Sequence, residues 1–212
     1  MGDSKQKYAE HLSQLAQLPL VLHALQRLDT ELPQELYYHS AQHTRDVFGE
    51  ALLFALHDGV TAPNLELIAI AAAFHDLGYL SQYENNEPVG AALAEAAMRE
   101  QGNYSEAQIE EVRGMILSTK VTAGPGGLVR TRHTDLASYV MDADWGSFGR
   151  EDFFEKADQL IAETEADENE FYSRTLDLVG NHSWLTRSAG LLREAKKQEN
   201  LRELRERIAA RA

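Results

Sequence analysis

Residues 65–77 read Leu-Glu-Leu-Ile-Ala-Ile-Ala-Ala-Ala-Phe-His-Asp-Leu. A helix built from them is apolar on almost every side, so neighbours must surround it rather than cover one stripe. The chain is therefore expected to fold around this segment, with Gly78 ending it. The run closes on His75 and Asp76, an imidazole and a carboxylate side by side in apolar surroundings. Soluble proteins seldom bury such groups without something to hold. A divalent cation is the simplest answer, since imidazole nitrogen and carboxylate oxygen both ligate borderline and hard ions.

The rest of the chain supplies the surrounding helices. Over residues 4–28, Leu12, Leu15, Leu18, Leu22, Leu25 and Leu28 recur every three or four positions, with a bend or break at Pro19. A second helix is predicted over 40–57, with Val47, Ala51 and Phe54 on one stripe. Asn64 reads as the N-cap of the central helix. Further helices are predicted at 88–101, from Ser105 to about 119, and at 132–145, 150–165, 167–187 and 188–210. No period-2 run of useful length is found, so 121–130, with Gly-Pro-Gly-Gly at 124–127, reads as a flexible loop and a candidate lid. The expectation is an all-α fold in one domain over 1–212, with a carboxy-terminal helical cap at about 150–212.

Composition narrows the partners. Apolar residues make up 43% and charged residues 25%, as in soluble globular proteins, and no run is long enough to span a membrane. The polar amino terminus lacks the hydrophobic stretch of a secretory signal, and the absence of cysteine excludes thiolate ligands and disulfides. A cytoplasmic location is expected. The net charge of −14 argues against long nucleic acid, which needs a basic stripe. Much of the acid lies in 163–170 and reads as a solvated turn or helix face. A small anionic substrate stays compatible, because a metal supplies local positive charge.

Two further segments join His75 and Asp76. Residues 37–46 carry His39 and His43, and residues 142–144 read Asp-Ala-Asp. Helical stepping from Asp144 meets Ala137, Val140, Met141, Ser147 and Phe148, a buried stripe, whereas Asp142 shares a face with Asp135, Ser138 and Tyr139. Residues two apart on a helix point about 200° apart, so one aspartate faces the site. Asp144 is the expected ligand, and Asp142 an outer partner, a cap or a solvated group. The candidate metal set is thus His43, His75, Asp76 and Asp144.

The order His43, His75-Asp76, Asp144, with Phe-His-Asp-Leu-Gly and Asp-Ala-Asp, resembles the HD-domain superfamily of metal-dependent phosphohydrolases over about residues 37–148. The resemblance implies a bundle of about five core helices and one or two divalent ions (Mn, Mg, Fe, Ni, Co or Zn), with Asp76 able to bridge two. It also implies hydrolysis of a small phosphomonoester or phosphodiester, such as a nucleotide, by metal-activated hydroxide, with Asp76 in the catalytic group as well as the ligand set. Residues 38–43 are also similar to a segment of cyclic-nucleotide phosphodiesterases, which implies His39 as the general acid. Ser40 replaces the asparagine usual there and Tyr79 a histidine, which counts against cyclic-nucleotide activity.

Charge on a transferring phosphoryl needs cations. Lys120 is the first choice, and Arg45, Arg130, Arg132 and His133 are weaker ones. His182 and Trp184 pack the cap or line the pocket. The rival reading is a non-catalytic metal-binding module of the same superfamily, with the helices after 150 free to dock a partner; a homodimer is compatible with either.

Overall fold

In the computed structural model, which describes residues 2–124 and 127–211, ten helices account for nearly all regular structure. They are α1 (Gly2–Ala16), α2 (Pro19–Glu31), α3 (Ala41–His57), α4 (Ala62–Phe74), α5 (Asn86–Gln101), α6 (Glu106–Leu117), α7 (Ala137–Asp144), α8 (Phe153–Thr164), α9 (Glu168–Asn181) and α10 (Arg187–Ala209). The all-α expectation holds.

The centre is α4. Every residue from Leu67 to Phe74 is buried, and the helix packs against α2, α3, α5, α6 and α7. Alanines at 69 and 71–73 let those neighbours come close without cavities. It starts at Ala62 after the cap residue Thr61, not at Asn64, because Pro63 has its φ fixed for a first helical turn. It also stops early. Phe74 is its last residue, Asp76 adopts φ −101° and ψ 5°, and Leu77–Leu80 form a 3-10 turn.

Hydroxyl caps open two of the helices, Ser105 where the sequence placed a helix start and Ser40 as an addition from the structure. Ser40 Oγ accepts from His43 N at 3.3 Å, starting α3, and Ser105 forms a reciprocal capping box with Gln108 at α6. The helix expected over 132–145 is shorter: Thr134 Oγ1 accepts from Ala137 N at 3.2 Å, and regular helix begins only there.

Residues 121–130 are a correction. Residues 121–124 and 127–130 pair as two antiparallel strands, hereafter the hairpin, β1 (Val121–Gly124) and β2 (Gly127–Arg130), with Val121 opposite Arg130. Strands of four residues, mostly exposed, bury too little to leave an alternating apolar pattern. Pro125 and Gly126, in the middle of the expected lid, lie outside the described residues.

The carboxy-terminal helices enclose a second apolar cluster of Phe148, Phe153, Ala157, Tyr172, Val179, Leu201 and Leu204. Trp184 packs against both this cluster and the main one. The seam between them is polar and specific. Asn200 Nδ2 donates to the carbonyls of Phe148 (3.0 Å) and Arg150 (2.9 Å), and Arg193 Nε donates to Glu50 Oε2 at 2.8 Å.

Candidate metal centre

His43 comes from the first turn of α3, His75 and Asp76 from the end of α4, and Asp144 from the last residue of α7. The three helices bring their tips together. Asp76 Oδ2 lies 3.2 Å from His75 Nε2 and 3.5 Å from His43 Nε2. Asp144 Oδ1 lies 3.3 Å from His43 Nε2 and 3.8 Å from His75 Nε2. On an unbroken helix Asp76 would point about 100° away from His75. The change of backbone conformation at Asp76 is what turns both toward one point.

His75 Nδ1 meets the Ala72 carbonyl at 2.7 Å, so a neutral ring carries its proton there and turns the bare Nε2 inward. That lone pair faces a carboxylate oxygen, which is also only an acceptor. His43 Nε2, His75 Nε2 and Asp76 Oδ2 are buried and have no hydrogen-bond partner. Acceptors gathered this way repel unless a proton or a cation lies between them. Bonds of about 2.0–2.2 Å to one ion would set neighbouring donors roughly 2.8–3.6 Å apart, close to the spacings here. His43, His75 and Asp144 therefore form a group able to hold a metal ion.

The electrostatics agree. Burial disfavours an imidazolium at His75, yet Asp76 and Asp144 outweigh it and raise its pKa to about 9. Burial likewise opposes ionisation of Asp76 and Asp144, and the histidines, with Arg130 beside Asp144, hold both below the usual carboxylate range. Without a cation, the cluster retains protons in its place.

Asp142 faces elsewhere, as the stepping argument requires. It is fully buried and accepts from Leu185 N (2.9 Å), Thr186 N (2.7 Å) and Thr186 Oγ1 (2.8 Å), tying α7 to the start of α10. Asp142→Ala is expected to cost about 3 kcal/mol, because it strands buried donors that face a charged acceptor. Denaturant unfolding checks this, and a loss below about 1 kcal/mol would mean the junction does not depend on that carboxylate.

His39 stands in the turn before α3, its ring 6.0 Å from that of His43. Its Nδ1 pairs closely with Glu163 Oε1. Glu163 Oε2 accepts from the backbone N–H of Tyr38 (2.8 Å) and His39 (3.0 Å), and Tyr83 Oη donates to Oε1 at 3.0 Å. Tyr79 stacks on the imidazole at 4.4 Å. Burial pulls the His39 pKa down, but Glu163, Asp76 and Asp144 prevail and raise it. Glu163 is a correction to the acidic run at 163–170. Its side chain is 1% exposed, not solvated. The signal was present, because Lys156, Leu160 and Glu163 follow a helical stride along one side of α8.

Among the cations the order changes. Lys120 donates to Asn85 Oδ1 at 2.6 Å and is not among the residues that line the cleft beside the cluster. It falls beyond the end of α6, at the foot of β1, where the chain no longer follows the helical path assumed for it. Arg45 is paired with Asp29 at 2.6 Å, and Arg132 meets Ser138 Oγ at 3.2 Å. Arg130, at the end of β2, reaches the centre. Its Nη1 donates to the Met141 carbonyl at 2.6 Å and lies 3.5 Å from Asp144 Oδ2, with the guanidinium 3.6 Å over the Trp145 ring.

The cleft, about 1160 Å³, opens over Tyr38, His39, Asp76 and Asp144 and runs between the hairpin and α8–α9. His182 is in its wall, beside Trp145, Phe148 and Trp184; burial drives its pKa down to about 3, so the ring is neutral. Among the described residues, no helix is long and apolar enough to cross a membrane. No family model matches the chain, and neither the curated proteins nor the solved structures give a match to it.

Proposed function

We propose that this chain is a metal-dependent phosphohydrolase of the HD-domain type, acting on a small phosphate ester. The observation that carries the reading is the buried convergence of His43, His75, Asp76 and Asp144, with three orphaned ligand atoms, at the end of a cleft that also holds His39. A divalent ion held by those four residues would supply Lewis acidity toward a phosphoryl oxygen and lower the pKa of a bound water.

The remaining chemistry is the chain's own. Glu163 holds Nδ1 of His39, so the ring is oriented to give a proton from Nε2 to the departing ester oxygen. Glu163 acts through His39 as a positioning residue, and Arg130 balances charge beside Asp144. The cluster and the dyad together favour an enzyme over a binding module, which has no use for a held proton donor.

The test is turnover of a panel of phosphomonoesters and phosphodiesters with manganese, nickel or zinc. Turnover is expected in the native protein, and His39→Ala should lower kcat by about 10²–10⁴ while metal content stays the same. The acid form of His39 is the active one. Since its pKa is raised, the rate should fall at a higher pH than an ordinary imidazole would give, as pH rises past that raised value. Glu163→Gln removes a raising influence, so the basic limb should move to lower pH. A metal-loaded protein that hydrolyses no ester of either type would be a binding module, and an unmoved basic limb in Glu163→Gln would remove the dyad.

A further inference from the structure

The cleft is much larger than a phosphate and its ion require. At about 1160 Å³ it lies slightly above the roughly 300–1,000 Å³ range of sites that engulf a whole organic molecule. Away from the metal cluster its walls are mainly carbon. Val121 and Leu128 of the hairpin face a cleft also lined by Leu160 of α8 and by Phe171 and Leu178 of α9. Val121, Leu128 and Leu185, all lining the cleft, are among the large apolar residues left most open to water, at 37%, 53% and 47% exposure.

The cations of the cleft are already engaged. Arg130 is held by Met141 and Asp144, Lys156 lies 3.5 Å from Asp46, and Arg174 is paired with Glu170. Apart from Arg174, which is mostly exposed and in a weak surface pair with Glu170, a second or third phosphate would find no uncommitted positive charge among the described lining residues. An apolar group would instead cover side chains that now face solvent.

We infer that the cleft receives the organic part of the substrate as an extended apolar group, so that the phosphate ester is that of a long alkyl or aryl alcohol rather than a nucleotide. The inference rests on the phosphohydrolase reading for the phosphate end alone. The apolar end rests on the cleft itself.

The experiment measures binding, not turnover. Two series are titrated into the manganese-loaded protein, n-alkylphosphonates and the matching n-alkyl alcohols from one to twelve carbons, with adenosine monophosphate for comparison. Tryptophan fluorescence gives the readout, since Trp145 lines the cleft. Affinity is expected to rise roughly three- to fourfold per methylene in both series until the cleft is filled. Adenosine monophosphate should bind no better than methylphosphonate. Leu160→Gln should flatten the dependence on chain length; if its melting curve shows a damaged fold, Leu128→Gln on the exposed hairpin takes its place. No dependence on chain length in either series, or adenosine monophosphate binding more tightly than octylphosphonate, would overturn the inference. A chain-length dependence in both series, with no phosphonate advantage that a chelator abolishes, would leave the inference standing and count against the phosphohydrolase reading alone.

Discussion

Asp144→Asn is expected to weaken divalent-ion binding by at least about a hundredfold, with only a modest loss of melting temperature in the metal-free protein, where the carboxylate also balances His43, His75 and Arg130. The substitution keeps the shape of the side chain and removes one of two carboxylates that face two imidazoles at 3.2–3.8 Å. It is a cleaner probe than His75→Ala, which would also open a hole under α4 and free the Ala72 carbonyl. The cluster is an ion site only if charge, not packing, holds it. Calorimetric titration with manganese or zinc after chelation decides the matter. Wild-type affinity in Asp144→Asn would show that the ion, if any, sits elsewhere, and a native protein that takes up no ion at all would remove the centre altogether.

Gly78→Ala is expected to lower stability by about 3 kcal/mol, the upper end of overpacking costs, which for a chain of this size is roughly 6–12 °C in melting temperature. Gly78 has no unusual φ; the constraint is proximity. A β-carbon there would stand 1.9 Å from the Asn86 carbonyl oxygen and 2.9 Å from Asn86 Cα, both backbone atoms at the start of α5. The neighbouring helix would have to move, and Asp76 lies only two residues away. The same variant should therefore also weaken ion binding. A melting temperature within about 2 °C of wild type would mean that this junction gives more easily than its geometry implies.

The sequence made some parts of this structure plain and hid others, for physical reasons. The apolar content of 65–77 required a surrounded helix, and α4 is surrounded. Stepping in threes and fours separated Asp144 from Asp142, and the two indeed have different partners. Ser105 announced its helix because a cap hydroxyl is a local signal, whereas Asn64 misled because Pro63 starts α4 one turn earlier, behind Thr61. Arg130 was undervalued because the hairpin that delivers it has exposed strands with no apolar rhythm. Glu163 was hidden in an acidic run, where composition suggested solvent. Its partner His39 is 124 positions away, and nothing local encodes so distant a meeting. Lys120 was misplaced by extending α6 beyond Leu117.

The four converging donors come from α3, α7 and the two residues that follow α4, whereas the carboxylate behind His39 belongs to α8. On the proposed reading, loading an ion and arming the acid would be tasks of different parts of the chain. On the phosphohydrolase reading, a displacement of α8 would unhook the imidazole and leave the four ligands in place. Under that reading such a molecule would still bind an ion yet work slowly, and the fault would lie far from any ligand.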